Sequence, residues 1–326
     1  MFDILARDAA VADFRRIVYS TIGFIPFHHQ AEWQLASEGW TLQYQEPVPG
    51  DHYTTIAIPD STDTTFDLEQ RHQHILHVNR TIVPREGGIA RYCADLAANK
   101  AGKSYGAAAW MTGFAILPRA LVQVIGAEYS ICEHEFSYLC EFLCSEPPRG
   151  MNLQYTHLVN DPRNGRMRLQ LKRTGTTFEC KSWDNKQSLK GSKVTAFIYA
   201  EAYQLPGMEC FTSIAQNIRQ LRGWALWPTT ADRPWVGALH DMGHGSNPDF
   251  HCTCGVRDSV NPITFDQKAR DRDDPEKGGI MTREKFEIIH NGRLGVFAGR
   301  VYQYARGDRQ FTPLTHPQIW QPDALA

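Results

Sequence analysis

A chain of 326 residues that is 42% hydrophobic and 21% charged can build a core without staples, and it falls in the ordinary range for globular domains. Its formal net charge of −2 excludes a diffuse basic field, so a nucleic-acid partner must be met by a local patch or by several copies together. Eight cysteines without a CxxC pair read as reduced thiols, the N-terminus lacks a signal-type apolar core, and no stretch reaches the length of a membrane span; the expectation is a soluble, intracellular protein.

In chain order, residues 8–24 read as a helix, with Val11, Phe14, Ile17 and Val18 at helical spacing. Residues 46–72, rich in Asp, Thr and Pro, read as an irregular exposed excursion. From about Ile89 short apolar runs alternate with helical patterns, the signature of a largely parallel sheet covered by helices. The runs are 90–97, 121–126, 177–180, 194–199 and 223–227, with helices predicted at 103–117 and 132–144. Arg163-Asn164-Gly165-Arg166 reads as a hairpin turn. After Pro228 the chain reads as irregular and polar, followed by a short helix at 282–290 and a strand at 296–304.

The first chemical motif is Ala97-Ala98-Asn99-Lys100-Ala101-Gly102-Lys103-Ser104, a phosphate loop with Ala in place of its usual first Gly. It follows an apolar strand and opens a helix, the setting the motif requires. Backbone N–H groups of such a loop point inward, and the helix N-terminus adds its positive end, so phosphates are held without rearrangement. Ala98, Asn99, Lys100, Ala101 and Gly102 are expected to cradle ATP. Lys103 would reach the β- and γ-phosphates, and the Ser104 hydroxyl would ligate Mg²⁺.

The second motif is the strand running from Val194 to Tyr199, followed by Ala200-Glu201-Ala202. On a strand adjacent to the phosphate loop, Glu201 would orient or deprotonate the attacking water. The usual form of such a strand ends Asp-Glu, with the Asp in the metal shell; here that position is Ala200.

Taken in order, further segments resemble the ATPase motor of tailed-bacteriophage terminase large subunits. Phe27-His28-His29-Gln30 is similar to that family's adenine-reading element, which implies the role for Gln30. Gln187-Ser188-Leu189-Lys190-Gly191 is similar to a loop that often supplies a trans-acting arginine. Gly223 to Thr230 resembles the strand whose threonine pair, here Thr229 and Thr230, couples hydrolysis to motion. Asn261-Pro262, Glu284-Lys285-Phe286 and Gly299-Arg300-Val301-Tyr302 resemble the end of the motor. The resemblance covers residues 20–305, and the order and spacing of its elements carry it. The sequence departs from the family at Ala200, at Lys190 in place of Arg, and at Asn99-Lys100 where an Arg is common. Lys190 and Lys100 are the candidates for neutralising transition-state charge, without the two-pronged geometry of Arg.

The resemblance implies a P-loop NTPase, an α/β fold with a mainly parallel central sheet flanked by helices, plus a small irregular C-terminal subdomain. It divides the chain into a motor with its adenine-binding segment at 1–245 and a subdomain or linker at 246–326. That second part would lead toward a nuclease domain absent from this chain, so nuclease activity is not expected. The implied job is ATP-driven movement of double-stranded DNA into a procapsid. The implied partners are the portal protein, the small terminase subunit and further copies in a ring on the portal. The work would take place in the host cytoplasm and transiently on the procapsid, away from any membrane and outside the mature virion. The rival readings are another helicase or translocase ATPase, and a degenerate nucleotide-binding scaffold, motivated by Ala200.

His240, His244, His251, Cys252 and Cys254 invite a zinc reading. The alternation of Phe250, Cys252, Cys254 and Val256 favours one face of a strand, with core thiols and surface histidines. Cys132, His134, Cys140 and Cys144 have helical spacing and read as buried structural residues, and the mixed charges of 270–277 read as a solvated loop.

Overall fold

The computed structural model describes residues 4–26, 28–44, 80–189, 193–255 and 288. The expected excursion at 46–72, the loop at 270–277 and the strand at 296–304 lie outside them, and of the helix at 282–290 only Ile288 is described, helical and buried.

The chain opens with α1 (Ile4–Ile22) and α2 (His28–Ala36), followed by an antiparallel pair, β1 (Trp40–Tyr44) and β2 (Arg80–Pro84). The remaining strands form one sheet: β3 (Tyr92–Ala97), β4 (Leu121–Gly126), β5 (Tyr155–Asp161), β6 (Arg166–Leu171), β7 (Thr177–Ser182), β8 (Ala196–Tyr199), β9 (Trp224–Thr229) and β10 (Phe250–Gly255). The helices between them are α3 (Lys103–Met111), α4 (Glu133–Cys144), the single-turn α5 (Glu209–Thr212) and α6 (Gln216–Arg219), and α7 (Val236–Gly243). The sheet order is β10-β3-β9-β8-β4-β7-β6-β5. The six strands from β10 to β7 run parallel, and β6 and β5 extend the sheet antiparallel.

All five apolar runs are strands of this sheet, because a strand covered on both faces needs apolar residues at every position. Cys93, Val122, Val124, Ile198 and Leu226 face one layer, with Ala107, Ala108, Phe136 and Leu139 of α3 and α4. Ala94, Ile125, Phe197, Tyr199 and Trp227 face the other, with Ile218 of α6 and Val236 and Leu239 of α7. The three alanines at 107–109 let α3 lie close on the sheet. On the far face Tyr199 and Trp227, on neighbouring strands, stack with centroids 5.2 Å apart and planes within 5°. α1 is tied to this body by Arg15, whose guanidinium bonds the Trp110 carbonyl at 3.1 Å and Glu38 at 2.7 Å, and by Asp8, which pairs with Arg91.

Several expectations are corrected. The helix expected at 103–117 ends at Met111, and a tighter 3₁₀ stretch, Thr112–Ile116, completes it. The turn at 163–166 is longer than a two-residue hairpin. Pro162–Asn164 forms a 3₁₀ turn capped by Asp161, and only Gly165 takes positive φ. The chain after Pro228 is not irregular throughout, since it supplies α7 and β10. β10 pairs with β3 along its whole length, so the sheet of the first unit extends past the expected boundary at 245/246 to Gly255. His134 is exposed rather than buried. Among the described residues no helix is long and apolar enough to cross a membrane, and no cluster of three or more His, Cys, Asp or Glu could hold a metal ion by itself.

His240 is a core residue rather than a surface histidine. It is 1% exposed on α7, its ring stacks on His244 at 4.1 Å, and burial, aided by His244, pulls its pKa down to about 4 against the opposing pull of Asp241. The unfolded chain therefore takes up a proton near pH 6.5 that the folded chain refuses. This part of the stability is complete above pH 6.5 and is lost as pH falls toward 4. By pH 4.5 the loss is about 2–3 kcal/mol. Urea unfolding at pH 7 and pH 4.5 should show a smaller pH difference for His240→Leu than for the parent; equal differences would contradict the assignment.

Candidate functional site

The strand order reverses at β3. The chain leaves β3 through α3 toward β4 on one side, whereas β9 returns through α7 to β10 on the other. In a parallel sheet the crevice beyond the strand ends at such a reversal is where ligands lodge. At this point stand the loop 98–102, the threonines ending β9 and the glutamate after β8.

The loop closes on its own lysine. Gly102 adopts φ +76°, open to glycine at little cost, and Lys100 reaches φ +61° at an exposed position. Lys103, 5% exposed, donates to the carbonyls of Ala97 at 3.1 Å and Ala98 at 2.9 Å and to the Thr230 hydroxyl at 3.2 Å. All three ammonium donors are engaged. Burial lowers its pKa, and the carboxylates of Glu201, Asp95 and Glu135 work against that shift, Glu201 most strongly.

A hydrogen-bond chain joins this loop to the neighbouring strands. The Tyr203 N–H donates to the Thr229 hydroxyl at 2.9 Å, and that hydroxyl donates to the Thr230 carbonyl at 3.3 Å. The Thr230 hydroxyl donates to Asn99 Oδ1 at 2.8 Å while accepting from Lys103. Both threonines are buried, whereas Asn99 is exposed. The expectation that the glutamate strand lies adjacent to the phosphate-loop strand is corrected, because β9 stands between β3 and β8. The Thr230 hydroxyl makes the direct hydrogen bonds with Asn99 and Lys103.

Three acids surround the lysine, and sequence reasoning named one. Glu201 sits just past β8 with φ +41°, and its Oε2 is buried without a hydrogen-bond partner. Glu135, in the first turn of α4, is 1% exposed. Burial pushes its pKa up to about 7 and Glu201 adds to the rise, while a hydrogen bond with the Ser104 side chain and the charge of Lys103 hold it down. Its Oε2 also lacks a partner. Asp95, fully buried within β3, is raised by burial, and His29 and Lys103 oppose the rise. The signal for Asp95 was available as an acid inside an apolar run. Glu135 lay in a helix whose cysteines drew notice, and nothing local distinguishes it from Glu133 in the same turn.

Two orphaned carboxylate oxygens and the half-buried Ser104 hydroxyl form a set of hard oxygen donors at the loop. That set fits Mg²⁺, which binds through one or two protein groups together with substrate phosphates rather than in an all-protein cage. Ala200 adds no donor; it is fully buried in the apolar cluster.

The segment resembling an adenine reader lies beneath the loop. Gln30 is fully buried on α2 and its Nε2 donates to the Gly102 carbonyl at 2.8 Å. The His29 ring bonds the Ala101 backbone, with Nε2 3.8 Å from Asp95 Oδ1, and burial lowers its pKa. Both side chains thus support the loop backbone. Lys190 lies outside the described residues.

No protein-family model matches the chain, and no curated protein does. Among solved structures, it is similar to the large terminase ATPase domain of Thermus phage P74-26, at 18% identity over 63% of this chain and 89% of that one, with a TM-score of 0.49. A mutant of the same domain is matched at the same identity and coverage with a TM-score of 0.47.

Gly106 fixes how closely α2 and α3 approach, since a Cβ there would sit 2.6 Å from Gln30 Nε2. Gly106→Ala gains up to about 1 kcal/mol of helix propensity and loses about 1–3 kcal/mol to overpacking. The expected net is a destabilisation of about 1 kcal/mol that shrinks in a Gln30→Ala background. Chemical denaturation of the four proteins in this cycle checks it; additive effects would contradict the contact.

Proposed function

We propose that this chain is an ATP-hydrolysing motor domain that moves double-stranded DNA into a viral procapsid. The observation that carries the reading is a buried lysine at the head of α3, held by a strand-loop-helix backbone and faced by carboxylates with unpartnered oxygens. Such a lysine must exchange a carbonyl or hydroxyl for a phosphate oxygen when nucleotide enters. The loop N–H groups and the end of α3 then hold the triphosphate in place.

Mg²⁺ at the Ser104 hydroxyl neutralises phosphate charge when bound. Glu201 accepts the proton of the attacking water from just beyond β8, where its free oxygen has no competing partner. Because the Tyr203 N–H reports through Thr229 and Thr230 to Asn99 and Lys103, displacing Lys103 perturbs a chain that reaches the residues next to Glu201. That chain supports the coupling role of the threonines. Gln30 sets the loop from below through Gly102, and an adenine contact is proposed beside that role.

The DNA-packaging assignment, with the portal protein, the small terminase subunit and a ring of copies, rests on the order of the sequence elements. Lys100, exposed on the loop, and Lys190 are proposed to balance transition-state charge within or between copies.

Lys103→Ala is expected to abolish nucleotide binding, read by fluorescent-ATP anisotropy; unchanged affinity would remove the phosphate-loop assignment. Glu201→Gln should bind ATP as the parent does and turn it over roughly 10²-fold or more slowly, because an amide cannot accept the proton. Steady-state ATPase assays at saturating ATP decide this, and a rate equal to the parent's would favour the scaffold reading. Turnover per chain should rise with protein concentration and on adding portal complexes, and a flat rate would count against a ring.

A further inference from the structure

Resting on the phosphate-loop reading, we propose that Glu135 supplies the acid of the Mg²⁺ shell that Ala200 cannot, acting as a positioning residue through the Ser104 hydroxyl and the water molecules of the ion. The strand that ends at Ala200 has no carboxylate to offer, and Ala200 packs in the apolar cluster with its methyl covered. The carboxylate arrives instead from the first turn of α4, after β4, a strand beside β8 in the sheet. β4 and β8 end at the same edge, so an acid carried a little past β4 reaches the ground that an acid ending β8 would cover.

Three observations converge on Glu135. Its side chain is 1% exposed, and one carboxylate oxygen has no hydrogen-bond partner, an expensive state for a structural acid. Its other contacts are with its own backbone N–H and with the side chain of Ser104, the hydroxyl that the loop presents to the ion. Lys103, the cation nearest in chemistry, has all three donors committed to Ala97, Ala98 and Thr230, and among the described residues Glu135 makes no ion pair. A buried acid beside a hydroxyl, in the field of Lys103 but without an ion pair to it, suits a hydrated divalent ion, whose waters would donate to the free oxygen with Ser104 at the metal. Glu201, just past the end of the neighbouring β8 at φ +41°, stays available for the attacking water.

Calorimetric titration with ADP, in EDTA and then in Mg²⁺, isolates this role without relying on turnover. For the parent, Mg²⁺ should strengthen ADP binding. For Glu135→Gln, affinity in EDTA should stay within about twofold, while the gain from Mg²⁺ falls about 10-fold or more, the size expected when a metal's outer-shell acid is removed. Ala200→Asp placed on Glu135→Gln should recover part of that gain. A Mg²⁺ gain equal to the parent's in Glu135→Gln would overturn the proposal while leaving the phosphate loop intact. Absence of ADP binding by the parent would overturn both. If circular dichroism shows Glu135→Gln unfolded, Glu135→Asp takes its place: a reduced Mg²⁺ gain at unchanged EDTA affinity supports the proposal, and an unchanged gain overturns it.

Discussion

A buried ammonium is the constraint around which this molecule is arranged. Lys103 is nearly sealed from water, and an isolated charge there would be too costly to keep. The fold meets that cost in two ways. Loop carbonyls and a threonine hydroxyl accept the three N–H bonds, and Glu201, Asp95 and Glu135 set a negative field around it. The three acids come from three separate segments, and Asp95 and Glu135 are themselves buried.

The sheet order is what brings these groups together. β3 lies between β9 and β10, and β9 separates it from β8. Thr230, at the end of β9, therefore bonds the loop directly, while the glutamate beyond β8 stands one strand further away. The hydrogen bonds from Tyr203 through Thr229 and Thr230 to Asn99 link the segment after β8 to the loop across the end of β9. Below the loop, α2 approaches α3 across a glycine, and His29 and Gln30 fasten the loop backbone at Ala101 and Gly102. The loop is held from beneath by α2 and from the side by β9, which leaves its exposed residues, Asn99 and Lys100, at the open face.

Loss of an acid at one strand end need not empty a site of its acids. Ala200 removes the usual carboxylate, yet buried acids on two other segments, Asp95 of β3 and Glu135 of α4, face the same lysine. In a parallel sheet the carboxyl ends of neighbouring strands converge, so one position can be served from more than one strand. The degenerate-scaffold reading drew its force from a single position in the sequence; the spatial neighbourhood weakens it.

The sequence by itself determined the five buried strands of the parallel sheet, the helix opened by Lys103 and the loop before it. Apolar runs, small residues and the Gly102-Lys103-Ser104 step are local signals that need no partner to be read. It also marked Glu201, Thr229 and Thr230 as residues of interest. It could not supply the strand order, because pairing depends on which faces meet across long stretches of chain. The adjacency of β8 to β3 was accordingly misjudged, and β10 was assigned to a separate unit. Only the tertiary structure decided that Gln30 and His29 lie under the loop. Only it decided that Glu135, indistinguishable from Glu133 in sequence, turns inward to Ser104. The two positions that separate them on the helix turn the face by about 200°. Which of two neighbouring acids is buried is set by what the helix packs against.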